Sequence, residues 1–294
     1  MKKLSYERKK RRYGYFFIAP WFIGFIFLFL VPMLQSVRYS FHDIRLVNGL
    51  EMSFARFSYY ERALVKDAEF LPRLISALGD MMYQVPLVLV FSLAIAAVLN
   101  GKFRGATFFK GIFFLPVIVA SGVVITIVQG DAFAQVMNNA EAASSMYRAT
   151  SITRTLLEMG LNAELVSSLE VITGNIFDLA WRSGIQILIF IAAFKSVPSG
   201  LYEASTIEGA TAWETFWKIT FPLISPMILT NLIYTIIDTF TDYNNPVIQY
   251  IATNSQKVEL SFSAAMAWIY FILIFVIMAV VYLLVNRKVF YQLD

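Results

Sequence analysis

The side chains best suited to contact a bound molecule are carboxylates, amides and aromatic rings set within long apolar stretches. Along residues 223–244, polar residues recur at intervals of three and four, which places them on one face of a helix. Such groups offer directed hydrogen-bond donors and acceptors beside apolar rings, a combination that suits a small molecule rich in hydroxyl groups. The residues with this pattern are Asn231, Tyr234, Thr235, Asp238 and Asp242 in this stretch with Asn245 directly after it, Asn175, Asp178, Trp181, Arg182 and Gln186 in 171–194, and Asp80, Tyr83 and Gln84 in 74–99.

Some of these polar residues have an alternative, structural role. Asp178 and Arg182 are four residues apart, so they can pair along one helix turn or bridge to a neighbouring helix, and for Arg182 we favour that role. Asp238 and Asp242 have no basic residue within their own stretch to neutralise them. Because a charge within the membrane is costly unless it faces protein or water, we expect these two acids to line the path of a solute.

The sequence lacks the residue clusters of common enzyme sites. It contains no cysteine and a single histidine, His42, which excludes disulfides, thiolate zinc sites and sites with two histidine ligands. Neither an H-E-x-x-H helix nor a G-x-x-x-x-G-K-[ST] phosphate loop is present. We therefore expect a chain that is not an enzyme and that binds no metal or cofactor itself.

The composition indicates a membrane protein. Of 294 residues, 58% are hydrophobic and only 15% are charged, and the mean hydropathy is +0.64. A helix that crosses the bilayer core of about 30 Å needs about 20 mostly apolar residues. Because an open sheet would leave backbone groups unpaired in lipid, we expect helices throughout. The sequence thus predicts an all-α membrane protein with six spans, at about 13–37, 74–99, 109–128, 171–194, 223–244 and 260–285.

The distribution of basic residues predicts the orientation of these spans. Residues 1–12 carry seven Lys or Arg, and an excess of these residues marks the cytoplasmic side of a membrane protein. The turn at 100–110 and the tail after the sixth span are also basic. All three lie on the same side in a six-span chain with cytoplasmic N- and C-termini. The predicted organisation is a basic cytoplasmic segment, 1–12, followed by one transmembrane domain, 13–294.

A polar segment, residues 195–222, separates the fourth and fifth spans on the predicted cytoplasmic side. Gly209 can take the left-handed conformation that ends a helix, and Thr211 and Glu214 have the T-x-x-E spacing of a capping box that begins another. The two prolines that follow are expected to end this second helix before the next span. Two short helices with a tight bend suit the docking of a protein, but their tryptophans also suit lipid headgroups, and these arguments leave both possibilities open.

The spacing of this segment is similar to a known motif. Residues 203–226, "EASTIEGATAWETFWKITFPLISP", fit the pattern E-A-A, three residues, G-A, then a hydrophobic helix ending in two prolines four residues apart. The pattern resembles the EAA loop of permease subunits of ATP-binding-cassette (ABC) importers, with Ser205 in place of the second alanine and Glu208 where aspartate is usual. The stretches "FIAPWFIGFIFLFL" and "FRGATFFKGIFFLP" are similar to the first and third spans of the maltose-type carbohydrate branch.

This resemblance implies a function, a fold and a set of partners. The chain would be a permease subunit with the type I ABC importer fold, in the bacterial cytoplasmic (inner) membrane. It would import a sugar or oligosaccharide delivered by an extracytoplasmic solute-binding protein, and it would not bind nucleic acid. The implied partners are a second permease subunit, usually in a heterodimer, and two ATPase subunits that bind ATP and Mg²⁺.

The resemblance also implies roles for individual residues of the loop. Glu203 would make an ionic contact with the ATPase, and Gly209 would form the bend. The aromatic residues would pack either into a groove of the ATPase or against spans of this chain, and the two roles stay open. The residues that would couple the permease to the ATPase are Glu203, Ala204, Glu208, Gly209, Ala210, Trp213, Phe216 and Trp217.

Two regions depart from the family pattern. The chain reads "TDYNNPVIQYI" at 241–251, where the family often has T-G-G-G-P, and the outer segment 129–170 is longer than expected. Both regions fall where the family meets its solute or binding protein, so the identity of the solute stays open. The alternative function is an ion-coupled secondary transporter of a polar solute, which would also use acids within the membrane but would not need the two-helix loop.

Overall fold

A computed structural model describes residues 6–46, 50–101, 104–120, 176, 179–242 and 244–290 of the protein. Within these residues the chain is mostly helical. The α-helices are α1 (Tyr6–Gly24), α2 (Val31–Ser40), α3 (Ser58–Glu61), α4 (Phe70–Asn100), α5 (Ala106–Ala120), α6 (Gly184–Ser196), α7 (Ser199–Ile207), α8 (Ala212–Thr215), α9 (Phe221–Thr241), α10 (Pro246–Gln256) and α11 (Leu260–Asn286). The remaining elements are the π-helical turns Phe25–Leu30, Arg62–Lys66 and Phe216–Thr220 and the strands β1 (His42–Leu46) and β2 (Leu50–Phe54).

Several of these helices are long and apolar enough to cross a membrane. In the described part of the chain they are Tyr15–Ser40, Phe70–Asn100, Ala212–Thr241 and Leu260–Asn286. They agree with the predicted spans at 13–37, 74–99, 223–244 and 260–285. The pair α6 and α7, bent by 65°, forms a fifth candidate if it is counted as one broken span. The predicted spans at 109–128 and 171–194 lie partly outside the described residues, and the outer segment 129–170 lies wholly outside them.

Two helices pass through prolines, and for one of them, at Pro222 and Pro226, the sequence predicted that the helix would end. The π-helical turns before α2 and α9 each end two residues before a proline, Pro32 or Pro222. A proline ring clashes with the carbonyl four residues earlier, and the wider turn of a π-helix relieves that contact. Pro226 leaves the Pro222 carbonyl without its backbone donor, and the Ser225 hydroxyl donates to that oxygen at 2.7 Å. Ala212–Thr241 is therefore one continuous helix, and the prediction that these prolines stop a helix was wrong.

The prediction of an all-α fold was also wrong, because the chain contains a β-hairpin. Strands β1 and β2 pair antiparallel, with His42 opposite Phe54 and Leu46 opposite Leu50. The Asn48–Gly49 dipeptide between the strands is the strongest short-range sequence signal for a hairpin. Because a hairpin outside the hydrocarbon layer can pair its edges with water, the argument against open sheets in lipid does not apply to it.

The chain divides into two compact units, residues 1–80 with 240–277, and residues 81–239 with 278–294. In the first unit, side chains tie the hairpin to the start of α11. The Ile44 N–H donates to the Ser261 hydroxyl at 3.2 Å, and the Tyr59 hydroxyl donates to Asp43 Oδ1 at 2.7 Å. Arg62 Nη2 lies 2.8 Å from Glu259 Oε2. Burial, together with Asp43, raises the pKa of Tyr59 to about 12, so this donor keeps its proton at neutral pH.

The second unit has an apolar core formed by residues of three helices. Its buried members come from α4, from α6 and the residue that follows it, and from the start of α9, so they fix the position of the segment between α6 and α9. They are Ala96, Leu99, Ile187, Phe190, Ile191, Ala193, Phe194, Val197 and Ile224, and Tyr202 and Phe216 pack against them.

Candidate functional site

The predicted two-helix element lies at residues 199–220, which we call the elbow. Helix α7 ends at Ile207, and Gly209 follows with a φ of 74°. The Gly209 N–H donates to the Thr206 carbonyl at 3.1 Å, and the Ala210 N–H donates to the Ser205 carbonyl at 2.9 Å. These two bonds form a Schellman motif, in which a left-handed residue satisfies the last carbonyls of a helix. The predicted role of Gly209 as the residue that ends this helix is confirmed.

We call helix α7 the first arm of the elbow and residues 212–220 its second arm. The second arm begins with the predicted capping box. The Thr211 hydroxyl accepts the Glu214 N–H at 3.3 Å, and Glu214 Oε2 accepts the Thr211 N–H at 3.1 Å. The Thr211 backbone N–H, assisted by Lys218 and the Thr211 hydroxyl, lowers the pKa of the exposed Glu214 to about 2. The box therefore stays charged and intact at any physiological pH, and it fixes where the arm begins.

Most of the predicted coupling residues lie on the outer surface of the elbow. Glu203, Ala204, Glu208 and Gly209 are exposed, and Ala210 is half-buried. Because backbone N–H and C=O groups at the bend are already paired with each other, these side chains keep a fixed geometry while remaining open to a partner.

The three aromatic residues of the elbow divide between the surface and the core. Trp213 is 71% exposed and Trp217 is 44% exposed, and their rings meet edge to face. Phe216 instead packs against the apolar core of the second unit. Phe216 thus holds the elbow in place, whereas the two tryptophans remain available for a partner or for lipid.

The sequence interpretation missed one surface residue of the elbow. Ile207, at the end of α7, is 86% exposed, more than either tryptophan. It is four residues after Glu203, so both side chains project from the same face of α7. The only signal in the sequence was an apolar residue within a segment that had been interpreted through its charges.

A polar cluster lies between α6 and α9. Asn231 is completely buried, and its Nδ2 donates to the Gln186 carbonyl at 3.1 Å. Gln186 Nε2 donates to Asp238 Oδ2 at 3.4 Å. The side-chain oxygens of Gln186 and Asn231 are buried and have no hydrogen-bond partner among the described residues. Buried oxygens of this kind accept a hydrogen bond from water or from a hydroxyl group of a ligand.

The structure corrects the end of the predicted polar face. Helix α9 ends at Thr241, so Asp242 and Asn245 lie in the following turn and not on the helix face that carries Asp238. Asp242 Oδ1 accepts the Asn244 N–H at 2.8 Å, and Asn245 caps α10 by accepting the Val247 N–H at 2.9 Å. Asp and Asn side chains bond to nearby backbone N–H groups more readily than they continue a helix.

The structure describes only some of the other residues that were predicted to line the solute path. Arg182 Nη1 donates to Gln84 Oε1 at 3.2 Å, which bridges two helices, one of the two structural roles expected for this arginine. Tyr234 is half-buried on α9 and Trp181 is 41% exposed. Asn175 and Asp178 lie outside the described residues. Asp80 and Tyr83 lie on α4, half-buried and exposed respectively, and belong to different compact units.

The elbow and the polar cluster are suited to binding a partner or a solute and to moving with it, more than to catalysing a reaction. No group of three or more His, Cys, Asp or Glu that could hold a metal ion occurs in the ranges that the structure describes. What those ranges do contain is an exposed, rigid bend and, within the same unit, a buried cluster of amides with one carboxylate.

Comparison with known proteins relates the C-terminal part of the chain to a transport family. Residues 179–291 match the family model "Binding-protein-dependent transport system inner membrane component". The match begins in the residues before α6 and includes the elbow and the polar cluster, so the elements that carry the functional interpretation are those that carry the family signature.

Individual relatives and a solved structure agree with this family. The chain is 25% identical over 309 aligned residues to the "Probable ABC transporter permease protein YesP" of Bacillus subtilis (strain 168), covering 99% of this chain and 96% of the relative. It is 29% identical to the "Multiple sugar-binding transport system permease protein MsmF" of Streptococcus mutans serotype c, covering 72% and 69%. A bacterial alginate ABC transporter, solved with its alginate pentasaccharide-bound periplasmic protein, has a chain that superimposes with a TM-score of 0.62 at 17% identity, covering 97% and 98%. Residues 179–291 thus carry the signature of a binding-protein-dependent transport system inner membrane component, the chain as a whole is similar to ABC transporter permeases, and it shares the fold of the alginate transporter chain.

Proposed function

We propose that this permease imports a sugar or oligosaccharide that an extracytoplasmic solute-binding protein delivers, using ATP hydrolysed by a separate ATPase. The single observation that carries the proposal is the elbow, a rigid and exposed bend with the spacing of the EAA loop, inside the segment that matches the family model. The name of one relative specifies sugar transport, and the solved relative was captured with an alginate-bound periplasmic protein, which supports a carbohydrate solute here.

The proposed topology has six spans with both termini in the cytoplasm. It consists of the basic segment 1–12 and one transmembrane domain, 13–294. Four long apolar helices in the described residues, together with the basic residues at both ends and in the turn at 100–110, support this arrangement. The elbow then lies in the cytoplasm, where an ATPase can reach it.

The proposed assembly contains a second permease subunit in a heterodimer, two ATPase subunits and the solute-binding protein. ATP and Mg²⁺ bind to the ATPase subunits, because this chain has no phosphate-binding loop. The exposed apolar first helix supports a partner within the membrane or lipid contact, since none of its apolar window is buried inside the described chain.

In the proposed mechanism, the elbow seats in a groove of the ATPase. Glu203 and Glu208 present carboxylates to basic residues of the ATPase, and Ile207 and Trp213 present apolar surface. Gly209 holds these groups in one geometry through its paired bend. When the ATPase subunits close, they move the elbow, and the continuous helix Ala212–Thr241 moves with it.

The solute path follows the polar face of α9. Asn231 and Asp238, with Gln186 on α6, offer two amide oxygens and a carboxylate as acceptors for hydroxyl groups. Tyr234 on the same helix adds a ring that can pack on the apolar face of a sugar. The remaining predicted contacts, Asp80 and Tyr83 among them, stay part of this proposal.

Reconstitution tests the proposed function. The permease is placed in proteoliposomes with its second permease, its ATPase and its solute-binding protein, and uptake is measured across a panel of neutral and acidic oligosaccharides. We expect uptake that requires both ATP and the binding protein and that is abolished by an ATPase unable to hydrolyse ATP. Uptake by the permease alone, driven by an ion gradient, would show that it works as a secondary transporter instead.

A further inference from the structure

The two arms of the elbow are joined by hydroxyl groups as well as by backbone. The Thr215 hydroxyl donates to the Ser205 hydroxyl at 3.3 Å, and Ser205 in turn donates to the Tyr202 carbonyl at 2.8 Å. The Thr220 hydroxyl lies 3.2 Å from the Tyr202 hydroxyl and 3.3 Å from the Thr215 carbonyl. These four side chains therefore connect α7 to the start of the next span at two levels.

The hydrogen bonds form two short chains, which together we call the hydroxyl circuit. In one chain the Thr215 hydroxyl donates to Ser205, which donates to the Tyr202 carbonyl. In the other chain the single Thr220 hydroxyl proton is within reach of both the Tyr202 hydroxyl and the Thr215 carbonyl. Ser205 and Thr220 are each only 4% exposed, whereas Tyr202 and Thr215 are half-buried, and all four line an open pocket at the bend.

Ser205 is one of the two residues, with Glu208, that distinguish this elbow from the motif it resembles. An alanine, which the EAA pattern has at this position, can neither accept from Thr215 nor donate to Tyr202. The departure from the pattern thus coincides with an added bond across the bend.

We propose that the hydroxyl circuit of Tyr202, Ser205, Thr215 and Thr220 locks the two arms of the elbow together, so that movement of α7 is passed to α9 without flexing at Gly209. The four are positioning residues: they contact neither solute nor nucleotide and act through the geometry of the elbow. This inference rests on the proposed coupling function of the elbow.

The test compares variants in the complete reconstituted transporter, with solute imported per ATP hydrolysed as the readout. Thr215→Val keeps the shape of the side chain and removes the hydroxyl, and Thr215→Ser keeps the hydroxyl. Thr206→Val is the matched control, because the Thr206 hydroxyl bonds at 2.8 Å to the Tyr202 carbonyl within α7 and does not cross the bend. We expect Thr215→Val to lower solute per ATP by roughly 2- to 10-fold, the factor that a neutral hydrogen bond contributes to an equilibrium.

The expected results distinguish a bond that joins the two arms of the elbow from a general effect on helix stability. Thr215→Ser and Thr206→Val should couple as the unaltered protein does, and the Ser205→Ala, Thr215→Val double variant should be no worse than Thr215→Val alone, because both remove the same bond. Unchanged solute per ATP in Thr215→Val overturns the inference. An equal loss in Thr206→Val also overturns it, because the effect would then come from helix formation.

A second measurement avoids any dependence on how well a variant folds. The chain contains no cysteine, so Ser205→Cys with Thr215→Cys introduces one reversible cross-link across the bend. We expect low coupling in the reduced protein and restored coupling after oxidation of the same preparation. Oxidation that stops transport would show that the arms must move apart. If the unaltered transporter itself shows no ATP-dependent uptake, the coupling function fails, which is distinct from failure of the lock.

Discussion

Replacing Gly209 with alanine tests whether the bend of the elbow is needed for coupling. An L-residue in the left-handed conformation of Gly209, with its φ of 74°, costs about 1–2 kcal/mol. A Cβ added at this position meets no atom within 4 Å, so the cost comes from backbone strain and not from a clash. Since 1–2 kcal/mol corresponds to roughly a 5- to 30-fold change in an equilibrium, Gly209→Ala should lower the equilibrium constant that favours the bent elbow by about that factor.

The assay is solute imported per ATP in the reconstituted transporter, together with the yield of the assembled complex. Gly209→Asn is the first control, because asparagine adopts the left-handed conformation more readily than other residues and should retain most coupling. Gly200→Ala is the second, because Gly200 lies within helix α7 with open space around its Cα, and alanine should favour that helix. Full coupling in Gly209→Ala, or an equal loss in Gly200→Ala, would refute the reasoning.

Three further substitutions probe the surface, the cap and the polar cluster. Thr211→Ala removes the helix cap and should cost about 1 kcal/mol, seen as a lower melting temperature of the complex, and an unchanged melting temperature would contradict the cap. Ile207→Ser should weaken ATPase binding by roughly 10-fold or more, because burying an isoleucine is worth about 1.5–3 kcal/mol. Ile207→Leu should bind normally. Equal binding by the unaltered protein and both variants would exclude a contact at this residue. Asp238→Ala should reduce uptake while the complex still assembles, and loss of the assembled complex would instead indicate a structural role.

The elbow could be predicted in detail because its signals are local. A glycine that must be left-handed and a threonine three residues before a glutamate each determine one turn of backbone, whatever surrounds them. Both Gly209 and Thr211 therefore act in the structure as the sequence indicated. The sequence did not reveal which aromatic residue of the elbow is buried. The burial of Phe216 depends on α4 and α6, which are distant from it in sequence.

The errors arose where one residue's local tendency competes with its surroundings. Pro222 is a helix breaker by itself, but a π-helical turn before it keeps the helix continuous. Asp242 is four residues after Asp238, a spacing that would place both on one helix face. Its carboxylate instead accepts a hydrogen bond from the Asn244 backbone N–H, beyond the end of the helix. Likewise, the contact of Gln186 with Asp238 requires the packing of α6 on α9, which periodicity along either helix does not reveal.

Because Ala212–Thr241 is one continuous helix, a rotation of its first residues, which belong to the elbow, also moves the far end of the helix. Thr220 and Asp238 are 18 residues apart, which is about 27 Å along an α-helix. A tilt of the helix by about 10° around its base would therefore carry Asp238 about 5 Å sideways. That displacement exceeds the 3.4 Å separation of Asp238 from Gln186. A small rotation at the elbow end of this helix would thus be enough to break the contact between Asp238 and Gln186.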